Sequence, residues 1–269
     1  MLNAVQFLSE YSGTGRKKTA YPLEKLLLLS ILAGFLIGMG GVVSGTVTCA
    51  LDNAAAARIV SGLLFPFGLI IVILTGAELF TGNCLIAVSV LEKKASLMGM
   101  LRNLGVVYCG NFIGAAALAA ACVYVGHLSL SDGALAAAVI RTASVKCVMN
   151  PDRALLLGIL CNLLVCAGVM CALCGKTIAG RAIGGYLPVA FFVMGGFEHC
   201  VANMYYVPAG LFAKMVPEWA ACALESGVDL TALNWMNFLM HNLIPVTAGN
   251  VIGGCAFAAL IWRAYRGEC

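Results

Sequence analysis

The chain has 269 residues, of which 62% are hydrophobic and only 10% are charged, with a formal net charge of +4 and a mean hydropathy of +0.98. Soluble domains carry charges on about a quarter of their residues, so this composition excludes an ordinary soluble globule and predicts a membrane protein. The small, dispersed positive charge forms no basic patch interleaved with aromatic residues, which argues against a nucleic-acid partner.

The N-terminal segment, residues 1–24, is mixed and amphipathic, without the basic start and apolar core of a secretory signal. We expect it to form a short surface helix and a loop on the cytoplasmic side. A single transmembrane domain is expected to follow over residues 25–269.

Six apolar runs follow this segment, and most of them are long enough to cross a bilayer as α-helices. If the N-terminus is inside, eleven of the 16 Lys and Arg residues fall on the inner side of the membrane and five on the outer side. Because cytoplasmic loops carry the excess of basic residues, we expect an all-α, multi-pass protein of the inner (plasma) membrane with both termini in the cytoplasm. The runs lie near residues 25–50, 60–91, 103–126, 154–174, 182–213 and 236–262.

Most of the 13 cysteines lie inside these runs, where cysteine behaves as a small hydrophobic residue. The CxxC pair Cys171 and Cys174 ends a span without a partner motif. We therefore expect no metal site, no cofactor and no disulfide framework.

Runs two and five are each interrupted by glycine and an acid. Residues 76–83 read GAELFTGN and residues 196–203 read GFEHCVAN, so Gly, Glu and Asn recur 120 positions apart. Because the two runs are three spans apart, an odd number, the two copies run in opposite directions across the bilayer. The pattern predicts a three-plus-three inverted repeat with broken helices two and five, whose non-helical backbone must lie buried in protein or line a cavity.

Glu78 and Glu198 are the acids that we place inside spans. Both copies of the repeat have one, so a structural role at the helix breaks explains them better than a transport role does. Each carboxylate could accept hydrogen bonds from freed backbone N–H groups, or pair with a group on a neighbouring helix or subunit.

His199 is different, because its counterpart in the first copy is Leu79. An ionisable side chain near the bilayer midplane is a functional candidate, and histidine changes its charge near neutral pH. A neutral core histidine is the plainer alternative. Thr81, which follows the first break, could donate to an anion, accept from His199 or simply bond a backbone carbonyl.

Other residues near the breaks allow two interpretations each. Asn162 and Asn250 are uncharged donors inside spans, and helix packing also explains them. Lys146 precedes the fourth span and could concentrate anions at an outer mouth, or be a solvated loop charge. Apolar side chains near the breaks could form plain core, which the sequence alone favours, or narrow gates; these are Phe65, Leu69, Phe80, Val165 and Phe192.

The segments TGAELFTGN, GFEHCVANMYYVP and NLIPVTAGNVIGG resemble signature segments of the formate/nitrite transporter family, in order and spacing, from about residue 20 to residue 263. The resemblance implies an aquaporin-like fold of six transmembrane helices per protomer, a homopentamer and one pore in each protomer. It also implies small monovalent anions of weak acids as solutes, with formate first, hydrosulfide second and nitrite third. Gly82 and Asn83 stand where formate channels often have Ser and Thr, which leaves the anion open.

The resemblance also assigns roles by motif position. His199 would be the central histidine, Thr81 the threonine of the flexible break, Asn250 the nearby asparagine and Lys146 the basic residue of the vestibule. The two constrictions would draw on Phe65, Leu69, Leu79, Phe80, Val165 and Phe192.

These roles lead to a hypothesis for transport. A bare anion in an apolar constriction is costly because it loses its hydration, whereas a neutral weak acid loses little. Lys146 would attract the anion, His199 and other polar donors would bind it between the gates, and a proton from His199 or from vestibule water would neutralise it. We expect pH-dependent, bidirectional transport and no catalytic residues.

Two alternatives belong to other functional classes. An aquaporin-like channel for a neutral solute would suit the shape, but the NPA boxes of aquaporins are absent, and the NPD at residues 150–152 is unpaired. An intramembrane enzyme could use Cys200 beside His199, but no acid–base set converges on that thiol.

Overall fold

Helices account for all regular secondary structure in residues 1–266, the part of the chain that this computed structural model describes. A 3-10 helix, His127–Ser129, precedes α8, and a π-helix, Phe238–Leu243, joins α13 to α14. The α-helices are α1 Ala4–Thr19, α2 Leu23–Thr48, α3 Ala54–Leu64, α4 Pro66–Thr75, α5 Phe80–Asn83, α6 Ile86–Leu91, α7 Leu97–Tyr124, α8 Ala134–Cys147, α9 Pro151–Cys174, α10 Ile178–Met194, α11 Cys200–Ala213, α12 Pro217–Glu225, α13 Trp235–Asn237 and α14 Ile244–Tyr265.

Five helical stretches within residues 1–266 are long and apolar enough to cross a membrane. The fifth predicted run is instead divided between α10 and α11, which have 17 and 14 residues. The break divides the second predicted run unequally, because the 22-residue stretch Ala54–Thr75 precedes it and the shorter stretch Phe80–Leu91 follows it. The five stretches are Leu23–Thr48, Ala54–Thr75, Leu97–Tyr124, Pro151–Cys174 and Trp235–Tyr265.

Both interruptions fall at the glycine–acid segments. Helix α4 ends at Gly76, whose φ is +70°, and a second glycine, Gly196, has φ +69° after α10. Glycine adopts this left-handed conformation without the steric penalty of a side chain, so the chain leaves the helix at each point. Helical structure resumes at Phe80 and at Cys200, respectively.

Glycines let the helices of each half approach closely. A Cβ atom on Gly114 of α7 would lie 2.0 Å from the Ile31 carbonyl oxygen of α2, and one on Gly253 of α14 would lie 2.3 Å from the Ile159 oxygen of α9. Small residues at such contacts are typical of membrane helix packing. Helices α2 and α7 therefore form one close pair, and α9 and α14 form the other.

The N-terminal helix α1 packs against one end of the helical bundle. Asn3 and Gln6 cap it reciprocally, and Phe7 and Tyr11 are buried. Lys94 Nζ donates to Ser12 Oγ at 2.7 Å, which ties α1 to the turn after α6. The predicted boundary between residues 1–24 and 25–269 stays a prediction, and residues 267–269 lie outside the described part of the chain.

Candidate functional site

Three cavities follow one another through the molecule and define a candidate pore. Named by the predicted orientation of the chain, the outer cavity has a volume of about 80 Å³ and contacts Lys146, and the central one has about 10 Å³. The inner cavity has about 180 Å³ and contacts Lys18. The outer and central cavities share Phe65, Phe192 and His199, whereas the central and inner cavities share Leu69 and Leu79. These shared residues are the candidate gates.

The outer gate consists of three aromatic rings, two of which are stacked. The ring centroids of Phe65 and Phe192 are 6.0 Å apart in an edge-to-face arrangement, and Phe192 stacks on the His199 imidazole at 5.8 Å. The central cavity behind this stack also contacts Val165 and Leu79. Its walls are therefore apolar except for the imidazole, which suits exclusion of hydrated ions.

His199 lies at the start of α11 and is 4% exposed. Its Nδ1 accepts a hydrogen bond from the Ala202 N–H at 3.1 Å, so the imidazole caps the helix. In a neutral ring the proton then belongs to Nε2, which lies 2.9 Å from Thr81 Oγ1. The ring can donate to the threonine oxygen and leave the threonine hydroxyl available to a further acceptor.

Two asparagines hold the backbone of the breaks. Asn111 Oδ1 accepts from the Phe80 N–H at 2.9 Å, and its amide donates to the Glu78 carbonyl. Asn250 repeats this arrangement, accepting from the Cys200 N–H at 2.9 Å and donating to the Glu198 carbonyl. Backbone groups freed by the breaks are thus paired, as burial requires, and these amides replace the carboxylates that we considered for this purpose.

At the outer end, Lys146 of α8 pairs with Glu198. Its Nζ lies 2.8 and 2.9 Å from the two carboxylate oxygens. The carboxylate also accepts from Asn203 at 2.7 Å and from Asn242 at 3.1 Å. The π-helix that contains Asn242 lies next to this network, in the manner of π-helices near functional sites.

At the inner end, Lys18 makes the equivalent pair with Glu78 at 2.8 Å. Asn83 donates to this carboxylate at 2.6 Å and to Asn103 Oδ1 at 2.8 Å. Nearby, Tyr21 also contacts the inner cavity, and burial together with the negative charge of Glu78 raises the pKa of its hydroxyl.

Sequence analysis missed Lys18, because no single spacing relates the equivalent residues of the two halves. Lys18 and Lys146 are 128 positions apart, the two glutamates 120, and Asn103 and Asn242 139. The number of positions between a residue and its counterpart in the other half differs from segment to segment, because the connections between spans differ in length. The matched contacts are those that an inverted repeat would produce, and the whole repeat stays a prediction.

The predicted site residues divide between the pore and its scaffold. Asn162 donates to the carbonyls of Thr81 and Asn250 and, like Asn250, contacts none of the three cavities. Phe80 also lies away from them and packs on the ring of Tyr108 at 4.9 Å. These contacts favour a positioning role for the three residues, and their predicted role in the pore stays a prediction. Thr81 also lines none of the three cavities, and it is joined to the central one through His199 at 2.9 Å. The other predicted constriction residues, with His199 and Lys146, contact the cavities; they are Phe65, Leu69, Leu79, Val165 and Phe192.

Comparison with known proteins identifies similar membrane proteins over nearly the whole chain. A model of the family described as "Formate/nitrite transporter" matches residues 5–264. A "Probable formate transporter" of Methanothermobacter thermautotrophicus is 34% identical, over 96% of this chain and 94% of the relative. "Formate channel FocA" of Haemophilus influenzae is 36% identical, over 90% of this chain and 88% of the relative.

Solved structures give the same result. A "Pentameric formate channel with formate bound" is 33% identical, with a TM-score of 0.80, and the match covers 90% of this chain and 97% of that one. An "FNT family ion channel" matches with a TM-score of 0.81 over 96% of this chain and 98% of that one, and its 23% identity supports the fold alone.

Proposed function

Because the chain belongs to the formate/nitrite transporter family, and is therefore a membrane channel for small anions rather than an enzyme, we propose that formate is its principal substrate. Relatives named for formate transport match over nearly their whole length, and a solved relative has formate bound. Hydrosulfide ranks second and nitrite third among the candidate anions.

One observation carries this proposal: an apolar central cavity of about 10 Å³ lies between two larger cavities that each contact a lysine. Its walls offer no compensation for lost hydration apart from His199, whose Nε2 meets the Thr81 hydroxyl. A passage so narrow and apolar selects against hydrated ions and favours the smallest weak acids. Formic acid is the smallest carboxylic acid, which supports formate over larger carboxylates. Its rank above hydrosulfide and nitrite rests on the relatives named for formate.

The two ion pairs prepare the outer and inner cavities for an anion. Unpaired, Glu198 and Glu78 would repel it at either end. Lys146 and Lys18 neutralise these carboxylates at 2.8 Å, and their side chains keep 13% and 19% exposure, respectively. Each lysine ammonium group therefore keeps an N–H donor available to an anion. Because its charge is already paired with a glutamate, it does not bind that anion too tightly for transport.

Protonation then lets the solute cross the apolar gates. An anion that enters the central cavity loses most of its hydration, which costs several kcal/mol, whereas the neutral acid loses little. The proton comes from a doubly protonated His199, which gives up its Nδ1 bond from the Ala202 N–H and returns to the neutral ring on transfer, or from water in a vestibule. The Thr81 hydroxyl donates to the carboxylate oxygen. Transport is therefore bidirectional and faster at acidic pH.

The same family membership supports an assembly and an orientation. The chain forms a homopentamer with one pore in each protomer, by analogy with the pentameric relative. It lies in the plasma membrane with both termini in the cytoplasm, so that α1 and Lys18 face inward and Lys146 faces outward. The majority of Lys and Arg residues then lies on the cytoplasmic side.

Parallel uptake into proteoliposomes tests the substrate. Formate, nitrite, hydrosulfide and glycerol are supplied separately at one acidic and one neutral pH, and uptake by protein-free liposomes is subtracted. The proposal expects formate to enter fastest, with a larger rate at acidic pH and no glycerol entry. Glycerol entry without anion entry would instead support the aquaporin-like alternative and contradict formate transport.

A further inference from the structure

A hydrogen bond joins α7 and α14 behind the two breaks. Tyr108 Oη and Thr247 Oγ1 are 2.9 Å apart, and both side chains are half-buried. Helices α7 and α14 pack mainly on α2 and α9 and have few contacts with each other. The hydrogen bond is therefore a specific link between two helices that otherwise make little packing contact.

The two partners occupy equivalent places in the two halves of the chain. Tyr108 and Thr247 are 139 positions apart, the same spacing that separates Asn103 from Asn242 and Asn111 from Asn250. A contact between a residue and its own counterpart lies where the two halves of an inverted repeat meet. A hydrogen bond at such a place can transmit movement of one half to the other half directly, without rearrangement of intervening residues.

Each partner is also linked to the first residue after one of the breaks. The ring of Tyr108 packs edge-to-face on Phe80, with centroids 4.9 Å apart. Thr247 lies one helical turn before Asn250 in α14, and the Asn250 side-chain oxygen accepts from the Cys200 N–H at 2.9 Å. Phe80 and Cys200 begin α5 and α11, and they are themselves 120 positions apart.

The contacts form one connected path from break to break. It runs from Phe80 through Tyr108 to Thr247, and then along α14 through Asn250 to Cys200. Its ends are the direct neighbours of Thr81 and His199. Neither Tyr108 nor Thr247 contacts the three pore cavities, so the pair does not bind the solute. A hydrogen bond in this low-dielectric setting is stronger than one in water, which suits a mechanical link.

We propose that the Tyr108–Thr247 hydrogen bond couples the two helix breaks and thereby positions the Thr81 hydroxyl against His199. Both residues are positioning residues, because they act on the pore through Phe80 and Cys200. The inference rests on the proposed function, since its consequence is read as anion flux. Loss of the bond lets the breaks move independently, so Thr81 and His199 spend less time in contact, while the vestibule lysines are unchanged.

Formate flux in proteoliposomes tests the link, with Tyr108→Phe, Thr247→Val and their combination. We expect each single variant to lower the maximal rate about five-fold, the effect of one lost hydrogen bond of ordinary strength, with the same half-saturating concentration. The combination should be no slower than either single variant, because both remove one interaction. Thr247→Ser, which keeps the hydroxyl, should restore the wild-type rate.

Two controls separate coupling from general damage. Tyr186→Phe removes a tyrosine hydroxyl that donates to the Leu63 carbonyl at the protein surface. Thr48→Val removes a threonine hydroxyl that donates to the Ser44 carbonyl within α2. Both should keep the wild-type rate, and every variant should elute as the same oligomer as wild type.

The possible failures are distinguishable. A wild-type protein that passes no formate, nitrite or hydrosulfide overturns the proposed function. If the wild type does pass an anion, the coupling alone is overturned by additive losses in the double variant, by a Thr247→Ser variant as slow as Thr247→Val, or by a change confined to the half-saturating concentration.

Discussion

At the scale of single residues, buried polar groups in this protein are almost completely hydrogen-bonded. Asn250 uses its side-chain oxygen and its nitrogen on three backbone groups, and Glu198 accepts from three side chains. Such satisfaction is required where no water can compensate an unpaired group. Within the described residues, Ser144 Oγ is the one buried side-chain atom without a partner.

Replacement of Ser144 by alanine should therefore stabilise the protein. The variant removes an unpaired buried hydroxyl, and we expect a gain in unfolding free energy of about 1 kcal/mol, seen as a higher melting temperature in detergent. Ser30→Ala is the matched control, because the Ser30 hydroxyl in α2 is buried but donates to the Leu26 carbonyl. A lower melting temperature for Ser144→Ala would show that its hydroxyl has a partner.

At the scale of helices, the breaks were predictable because glycine and an acid interrupt otherwise apolar runs. The sequence could not reveal what satisfies the freed backbone, since Asn111 and Asn250 lie in other helices, 31 and 50 positions from the N–H groups that they accept. The same limit explains why the sequence left two interpretations of Asn162 and Asn250 open, solute contact and helix packing. Their residue type suits both tasks, and only their contacts distinguish them.

The break after α10 should be sensitive to backbone conformation rather than to space. Gly196 has φ +69° and would place a Cβ atom in open space, so Gly196→Ala should cost about 1 kcal/mol through backbone strain alone. Gly105→Ala is the control: its Cβ also meets nothing within 4 Å, but it lies in regular α7, where alanine should be neutral or stabilising. Thermal unfolding of the two variants measures the difference, and equal melting temperatures would argue against strain at the break.

At the scale of the whole molecule, the two ends carry equivalent charge networks. Lys18 reaches Glu78 from the N-terminal helix, 60 positions away, and Lys146 reaches Glu198 across 52. Sequence analysis found Lys146 and both acids but not Lys18, because α1 was expected to lie on the surface. One asymmetry between the halves is His199 opposite Leu79, and it was visible in the sequence.

The inner ion pair can be tested by removing its positive charge alone and then both of its charges. Lys18→Met leaves the Glu78 carboxylate buried and unpaired, so we expect a loss of about 3 kcal/mol in stability and slower anion flux. Adding Glu78→Gln removes the unpaired charge and should recover much of the stability. The corresponding outer variants, Lys146→Met alone and with Glu198→Gln, provide the comparison. Equal stability of the single and double inner variants would contradict a buried, functional pair.

The central claim is that His199 governs the protonation that lets a weak acid pass the apolar gates. Its most direct test is the initial rate of formate uptake into proteoliposomes, measured at acidic and neutral pH for wild type, His199→Asn and His199→Phe. The account predicts that wild-type uptake is faster at acidic pH and that both variants lose this difference once the rate of protein-free liposomes is subtracted. An unchanged pH dependence in both variants would contradict it.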